Sequence, residues 1–294
     1  MIRVTDYQQQ TTILNILSQR VNDVSQSEMA LSSGKKINKP SDDPAGAAKV
    51  SALNTALSKM DRYSKNMGDV SSNMKMADSV LIDAHNLLQQ ANQLANEQAT
   101  GTATADTRAT AAKEVDVILQ QLVQVGNTSL GGKYLFAGYK NSTPPFDNSG
   151  NYVSDSGVVQ SEIGPGNFTQ SNIPGDTIFG AAGGVDIFGA LKDLSAALTA
   201  NDTAGIGSAM DKITASYSQV EASQAQVGAV ENLVTNSQSS LQNEQVSMQT
   251  LLSDTRDIDL VQAITAFQTQ SAALTAARQA ASKLFDNSLL DYIK

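Results

Sequence analysis

Few side chains in this sequence have the types and spacing that chemistry needs. Asp42 and Asp43 supply two carboxylates, but an acid/base pair must converge on one reacting atom from roughly 5–9.5 Å apart. Neighbouring residues point away from each other, so helix capping suits them better. His85 is the one histidine and there is no cysteine. Thiol chemistry and cysteine-held metals are therefore out, and a His-based metal site or a Ser-His-Asp triad is very hard to build. His85 reads as a packed or surface residue. No glycine loop of the phosphate-binding kind exists, and Gly183-Gly184 is read as a turn. Asn127, Asn141, Asn167 and Asn201 open N-x-S/T sequons, which are frequent by chance in a chain rich in Asn and Thr. Met60, Met67 and Met74 could form an adaptable binding face, though core packing is the better reading. Nothing here makes an enzyme, and no metal or cofactor is expected.

Composition narrows the partners. A net charge of −9 over 294 residues repels phosphate backbones, so no nucleic acid is expected. The first ten residues lack the apolar core of a secretory signal; if the protein leaves the cell, it is expected to do so without a cleaved leader. Residues 260–277 carry no charge, but seven of those 18 are polar. An amphipathic helix explains them better than a membrane span.

The elements follow from periodicity. Ile206, Ile213, Val220, Val227, Val234, Leu241 and Met248 stand at unbroken seven-residue spacing, as do Leu53, Met60, Met67, Met74, Leu81, Leu88 and Ala95. Ala56, Tyr63, Val70, Ala77, Ala84 and Ala91 accompany the second column. Such columns mark long helices lying side by side. Each would run about 64 Å at 1.5 Å per residue. Helices are expected over 7–33, 44–99, 105–129, 187–200, 203–252 and 256–292. Residues 126–189 hold 13 of the 20 glycines, four of the six prolines and eight of the 14 aromatic residues. Tyr152-Val153, Val158-Val159 and Thr177-Ile178-Phe179 lie there between turn signals at Gly164-Pro165-Gly166 and Pro174-Gly175-Asp176. That pattern predicts strands and hairpins. The fold class is mainly α, an elongated rod of long helices with one small inserted β domain.

The terminal segments are narrower. Leu14, Leu17, Val21, Val24, Glu28 and Leu31 follow a 3-4 pattern. Leu260, Ile264, Phe267, Ser271, Leu274, Arg278, Ala281, Phe285, Ser288 and Tyr292 follow another. Neither stripe offers enough apolar surface to offset the ordering of its own backbone. Each end needs the other, or further copies of the chain, and alone both are expected to be largely disordered.

Between the first two helices lies a joint. Gly34 follows Leu31 where a helix C-cap belongs, with Lys35 and Lys36 near the negative helix end. Pro40 forbids continuous helix, and Asp43-Pro44 reads as N-cap and first helical residue. The same stretch, from Leu31-Ser32-Ser33-Gly34 through Ile37-Asn38 to Ser41-Asp42-Asp43-Pro44-Ala45-Gly46, resembles the N-terminal signature of the bacterial flagellin superfamily. Three other segments resemble the branch of that family at the boundary of hook and filament more than the filament-forming branch. They are Asn127-Thr128-Ser129 to Thr143-Pro144-Pro145-Phe146, Ile173-Pro174-Gly175-Asp176-Thr177-Ile178-Phe179, and Asp257-Ile258-Asp259-Leu260 with Leu289-Leu290-Asp291-Tyr292-Ile293. The Lys35-Lys36 turn departs from the pattern without obvious effect.

The resemblance implies an extracellular structural part of the flagellum, exported through the type III channel. Its partners would be another hook-associated protein on the hook side, flagellin on the filament side, copies of itself in a ring, and a cytoplasmic chaperone at the C-terminal region. A filament-forming flagellin is the alternative, and a helical signalling rod is more remote. Leu14, Leu17, Val21, Val24, Leu31, Leu260, Ile264, Phe267, Leu274, Phe285 and Tyr292 would carry subunit packing. Gly34, Ile37, Asn38, Ser41, Asp42, Asp43, Pro44, Ala45 and Gly46 would form the joint. The expected domains are 1–38 and 254–294 as halves of a terminal coiled coil, 39–138 and 189–253 as the helical rod, and 139–188 as the β insert.

Overall fold

The computed structural model describes residues 2–290, with side chains from 7 to 283. Its elements in chain order are α1 (Ile2–Ser33), α2 (Pro44–Gln98), α3 (Ala105–Gly126), β1 (Ser129–Leu130), β2 (Lys133–Tyr134), β3 (Gln160–Gly164), β4 (Asn167–Gln170), α4 (Gly175–Ile178), α5 (Ile187–Thr199), α6 (Thr203–Arg256) and α7 (Leu260–Leu290). The chain is mainly helical with a small β region, as periodicity predicts. Two compact units form. One is Met1–Lys59 with Glu244–Lys294; the other is Met60–Asn243. Both boundaries fall inside long helices, α2 and α6, where sequence alone places none.

In the unit Met60–Asn243 the seven-residue columns are the core. Met60, Met67, Met74, Leu81, Leu88 and Ala95 of α2 are all buried, and so are Ile206, Ile213, Val220, Val227, Val234 and Leu241 of α6. The methionines are packed inside. α2 and α6 run antiparallel: Gln224 Nε2 donates to Asp78 Oδ1 at 3.3 Å, and the Tyr217 ring lies 5.1 Å from His85. A strict heptad repeat on both helices keeps the two apolar seams facing over many turns. α3 packs on α5. The buried Arg108 of α3 donates to the carbonyls of Gln98 at 2.9 Å and Thr100 at 3.0 Å and to Asn201 Oδ1 at 2.5 Å. A guanidinium thus meets the carbonyl end of α2, where positive charge is favourable. Asn201 is the one residue besides glycine with positive φ (53°) among the described residues. Its side chain serves that contact, as Asn127 serves another by clamping both backbone groups of Phe146 at 2.9 Å.

The β region departs from expectation in three ways. α3 stops at Gly126 rather than 129, because Gly131 and Gly132, at φ +59° and +79°, close a two-residue hairpin that claims Ser129 and Leu130 as a strand. Residues 177–179 are not a strand. Pro174, at φ −64°, starts the short helix α4, which buries Ile178 and Phe179. Tyr152 makes a single bridge with Phe146, and the longer hairpin pairs 160–164 with 167–170 around Gly164-Pro165-Gly166. The region is held by phenylalanines more than by strands. Phe146 lies 5.6 Å from Phe179 and 4.9 Å from Phe188, and Phe136 lies 5.6 Å from Phe179. Three glycines make room: a Cβ at Gly126 or Gly175 would stand 2.9 Å from the Phe146 ring, and one at Gly150 would stand 2.7 Å from Phe188. Buried Gln219 of α6 fastens the following turn, donating to Ile178 O at 2.9 Å and Val185 O at 3.0 Å and accepting from Val185 N at 2.9 Å. Phe146→Ala is expected to destabilise this unit by about 3–5 kcal/mol, the usual cost of emptying a buried aromatic site. Chemical denaturation measures it, and a loss below about 1 kcal/mol would contradict the cluster's role.

Candidate functional site: the paired chain ends

In the other unit, α1 packs against α7. Lys35 sits opposite Asp257 in an antiparallel bridge and Ser27 Oγ hydrogen-bonds Gln270 Oε1, so the two helices run antiparallel. The covered face of α1 is Ile13, Leu17, Val24, Ser27, Ala30 and Leu31; that of α7 is Ala263, Phe267, Gln270, Leu274, Ala277 and Ala281. Both follow a 3-4 spacing. The predicted packing residues divide between two faces. Leu17, Val24, Leu31 and Phe267 are half-buried in the pair, and Leu274 is buried. Leu14 and Val21 point away from it, 55% and 42% exposed, as do Leu260 and Ile264. The side chain of Phe285 and all of Tyr292 lie outside the described residues. Ser27 and Gln270 escape a hydrophobicity search because the seam includes polar residues. The column 10-17-24-31 with residues 13 and 27, read without regard to polarity, would reveal it.

Two apolar sets, one on each helix, remain uncovered. Tyr7, Leu14 and Val21 recur every seven residues along α1, and Leu260, Val261 and Ile264 open α7, with Val261 75% exposed. Apolar groups concentrated in rows on one unit mark a surface that meets another chain.

The joint builds the other end of the pair. Gly34 takes φ +69°, and its N–H donates to Ala30 O at 2.9 Å, the left-handed cap that closes α1. The chain then runs alongside the break between α6 and α7. Lys36 N donates to Arg256 O at 2.8 Å and Ile258 N to Gly34 O at 3.0 Å. Lys36 Nζ reaches Asp254 O at 2.8 Å. Ile37 turns inward and is buried, and Asn38 Nδ2 donates to Lys35 O at 2.9 Å. Asp42 and Asp43 hold backbone, not each other. Asp42 Oδ2 accepts from Asn38 N at 3.0 Å and Lys39 N at 2.8 Å, and Asp43 Oδ1 accepts from Gly46 N at 2.9 Å as the N-cap of α2. Pro44 begins that helix, needing no N–H donor there. Gly46 is required by packing, since a Cβ would stand 2.5 Å from Ile37 Cδ1. Ser41 and Ala45 are exposed. Across the break, Asp259 Oδ1 caps α7 by accepting from Val261 N at 2.9 Å.

Asp257 carries the electrostatics. Its carboxylate accepts from Arg256 Nε at 2.7 Å. That bond, with help from Ser253, holds its pKa below the usual carboxylate value. Among the described residues no three His, Cys, Asp or Glu side chains group closely enough to hold a metal ion. No helix of the described residues is long and apolar enough to cross a membrane. The geometry is that of a packing site.

Comparison with known proteins agrees with the joint motif. Residues 4–141 match the bacterial flagellin N-terminal helical region. It is similar to flagellar hook-associated protein 3 of Escherichia coli, 29% identical over 200 residues that cover 63% of this chain and 62% of that protein. It is also similar to flagellin of Listeria monocytogenes, 31% identical over 106 residues, covering 36% of this chain and 37% of that one. Both matches span less than two thirds of the relative's length. The crystal structure of Xanthomonas campestris FlgL shares the fold, with a TM-score of 0.62 and 19% identity over 68% of this chain and 99% of that chain.

Asp257 gives a pH prediction. A carboxyl whose pKa is lowered on folding adds stability above its ordinary pKa of about 3.9, and that contribution is lost as pH falls through the lowered value. Protection of the Lys36 and Ile258 amides is expected to decline below about pH 4, and Asp257→Asn to flatten that decline. Hydrogen exchange at the two amides measures both; an unchanged profile in the variant would rule the linkage out.

Proposed function

We propose that this chain is a structural adaptor of the bacterial flagellum that joins the hook-associated zone to the flagellin filament. One observation carries the reading: the chain ends pair through one face of each helix and leave two sets of apolar residues uncovered, Tyr7, Leu14 and Val21 along α1 and Leu260, Val261 and Ile264 at the start of α7. A surface of that kind is stabilised when neighbouring subunits cover it. Similarity to a hook-associated protein over 200 residues supports the junction over the filament, where the flagellin match is shorter. The partners are then another hook-associated protein on one side, flagellin on the other and copies of the same chain in a ring. An export chaperone engages the C-terminal region, and the protein works outside the cell. The mechanism is packing, with no catalytic step.

Two substitutions separate pairing from assembly. Val21→Asp puts a charge on the uncovered row, so it should change the free chain's stability by less than about 0.5 kcal/mol yet abolish assembly onto hook-side seeds. Phe267→Asp puts a charge in the seam and should loosen the α1–α7 pair in the free chain as well. Electron microscopy of seeded assembly and circular dichroism of the free variants read the two effects. Normal assembly by Val21→Asp would refute the surface, and unlimited growth of the unmodified chain by itself would favour filament flagellin.

The pair also has fewer fully buried side chains than the heptad core. In the free chain, amides of α1 and α7 are expected to exchange at least about tenfold faster than those of α2 between Met60 and Ala95. Equal protection throughout would contradict the need for neighbours.

A further inference from the structure

The seam between α1 and α7 does not define its own alignment. On α7 the covered residues fall in two columns of seven-residue spacing, Ala263, Gln270 and Ala277 in one and the apolar Phe267, Leu274 and Ala281 in the other. On α1 one column runs Leu17, Val24, Leu31. Sliding one helix by seven residues sets the Phe267, Leu274, Ala281 column against Leu17, Val24 and Leu31 again and forfeits the match of Ser27 with Gln270, so burial specifies the register weakly. Among the described residues, the polar contact that distinguishes the observed alignment within the seam is Ser27 with Gln270.

We infer that the register of the chain ends is set outside the seam, by a backbone clip between residues 34–36 and 256–258. Its bonds are directional and belong to one alignment alone: Lys36 N to Arg256 O at 2.8 Å and Ile258 N to Gly34 O at 3.0 Å. Three features hold the clip in shape. Gly34 turns at positive φ and is tied to Ala30 O; Asn38 Nδ2 binds Lys35 O at 2.9 Å; Lys36 Nζ binds Asp254 O at 2.8 Å. Each flank is also ended by its own cap, Asp43 on α2 and Asp259 on α7. The clip thus joins the two breaks in the helical chain, one before α2 and one after α6. A seven-residue slip would move the facing backbone about 10 Å along the axis and break both bonds. Lys36, Gly34 and Ile258 act here as positioning residues. The inference rests on the pairing of the ends and not on the junction role.

The absence of cysteine makes the test direct. Ser27→Cys is combined in the full-length chain with Ala263→Cys, Gln270→Cys or Ala277→Cys, so each pair reports one register. With the clip intact, oxidation is expected to cross-link the 27/270 pair almost alone. Lys36→Pro and Ile258→Pro each delete one clip donor, whereas Lys36→Ala keeps the backbone bond. Removing one ordinary backbone bond should raise the slipped 27/263 or 27/277 yield, relative to 27/270, by about 2- to 12-fold in both proline variants and less in Lys36→Ala. Circular dichroism verifies that the heptad core persists. Cross-linking confined to 27/270 in both proline variants would overturn the inference. So would loss of cross-linking in all three registers, because the clip would then hold the pair together instead of aligning it. Failure to join hook-side seeds with registers behaving as expected would count against the junction role alone.

Discussion

The unit formed by the chain ends depends on a constraint that is easy to overlook: two helices with little greasy surface must find one alignment and keep a face free. Burial does the first part poorly. The seam holds Ser27, Gln270 and several alanines beside Leu17, Val24, Phe267 and Leu274, so its apolar area is modest and a slip by seven residues costs it little. Directional backbone bonds between residues 34–36 and 256–258 add what area does not, because a hydrogen bond exists in one register and is absent in the next. The rest of the joint follows from that need. Gly34 must turn left-handed, Ile37 must tuck in, Gly46 must lack a side chain, and the two aspartates must hold backbone to stop the loop from drifting.

The heptad core works the other way. Along α2 from Met60 and along α6 to Val234, large apolar residues interlock at every seventh position and are fully or almost fully buried. There, apolar area dominates the pairing, with Gln224 to Asp78 as a polar contact across it, and Gln219 and Arg108 serve the loops. Gln219 holds the 178–185 turn and Arg108 holds the loops after α2 and before α6. The same chain therefore uses two ways to align helices, strong hydrophobic seams in one unit and a backbone clip in the other.

The sequence disclosed these two parts unequally. Columns such as Met67, Met74 and Leu81 are visible because the residues are apolar and their spacing never breaks. Gly34 and Asp43-Pro44 are visible because caps have few solutions. The seam of the chain ends was half hidden. Leu14 and Val21 belong to the most apolar stripe of α1, and hydrophobicity assigns them to the same face as Leu17 and Val24, yet the pair uses Ile13 and Ser27 instead. An amphipathic pattern reports which residues avoid water in the working protein, and it does not separate a contact within the chain from one awaiting another chain. In the β region local propensity loses to packing. Thr177-Ile178-Phe179 has strand-forming residues, but Pro174 and the phenylalanine cluster impose a helical turn. Ser129-Leu130 looked like the end of a helix until the paired glycines are given their turn.

Charge is divided between the units in a way that bears on assembly. Residues 1–59 and 244–294 contain eleven Lys and Arg against eleven Asp and Glu, while residues 60–243 contain nine against eighteen. The whole net charge of −9 therefore belongs to the unit with the heptad core and the β region. Copies of a neutral unit can approach closely without like-charge repulsion, and their apolar rows are then free to decide the contact. Copies of an acidic unit repel one another over about a Debye length, near 8 Å at physiological ionic strength. If the ends bear the contacts, as the exposed row of Tyr7, Leu14 and Val21 suggests, neutrality sits where packing is dense and repulsion sits where the chain must stay soluble. Contacts that ran through the acidic unit would have nine basic residues against eighteen acidic ones to draw on, so like-charge repulsion would oppose them.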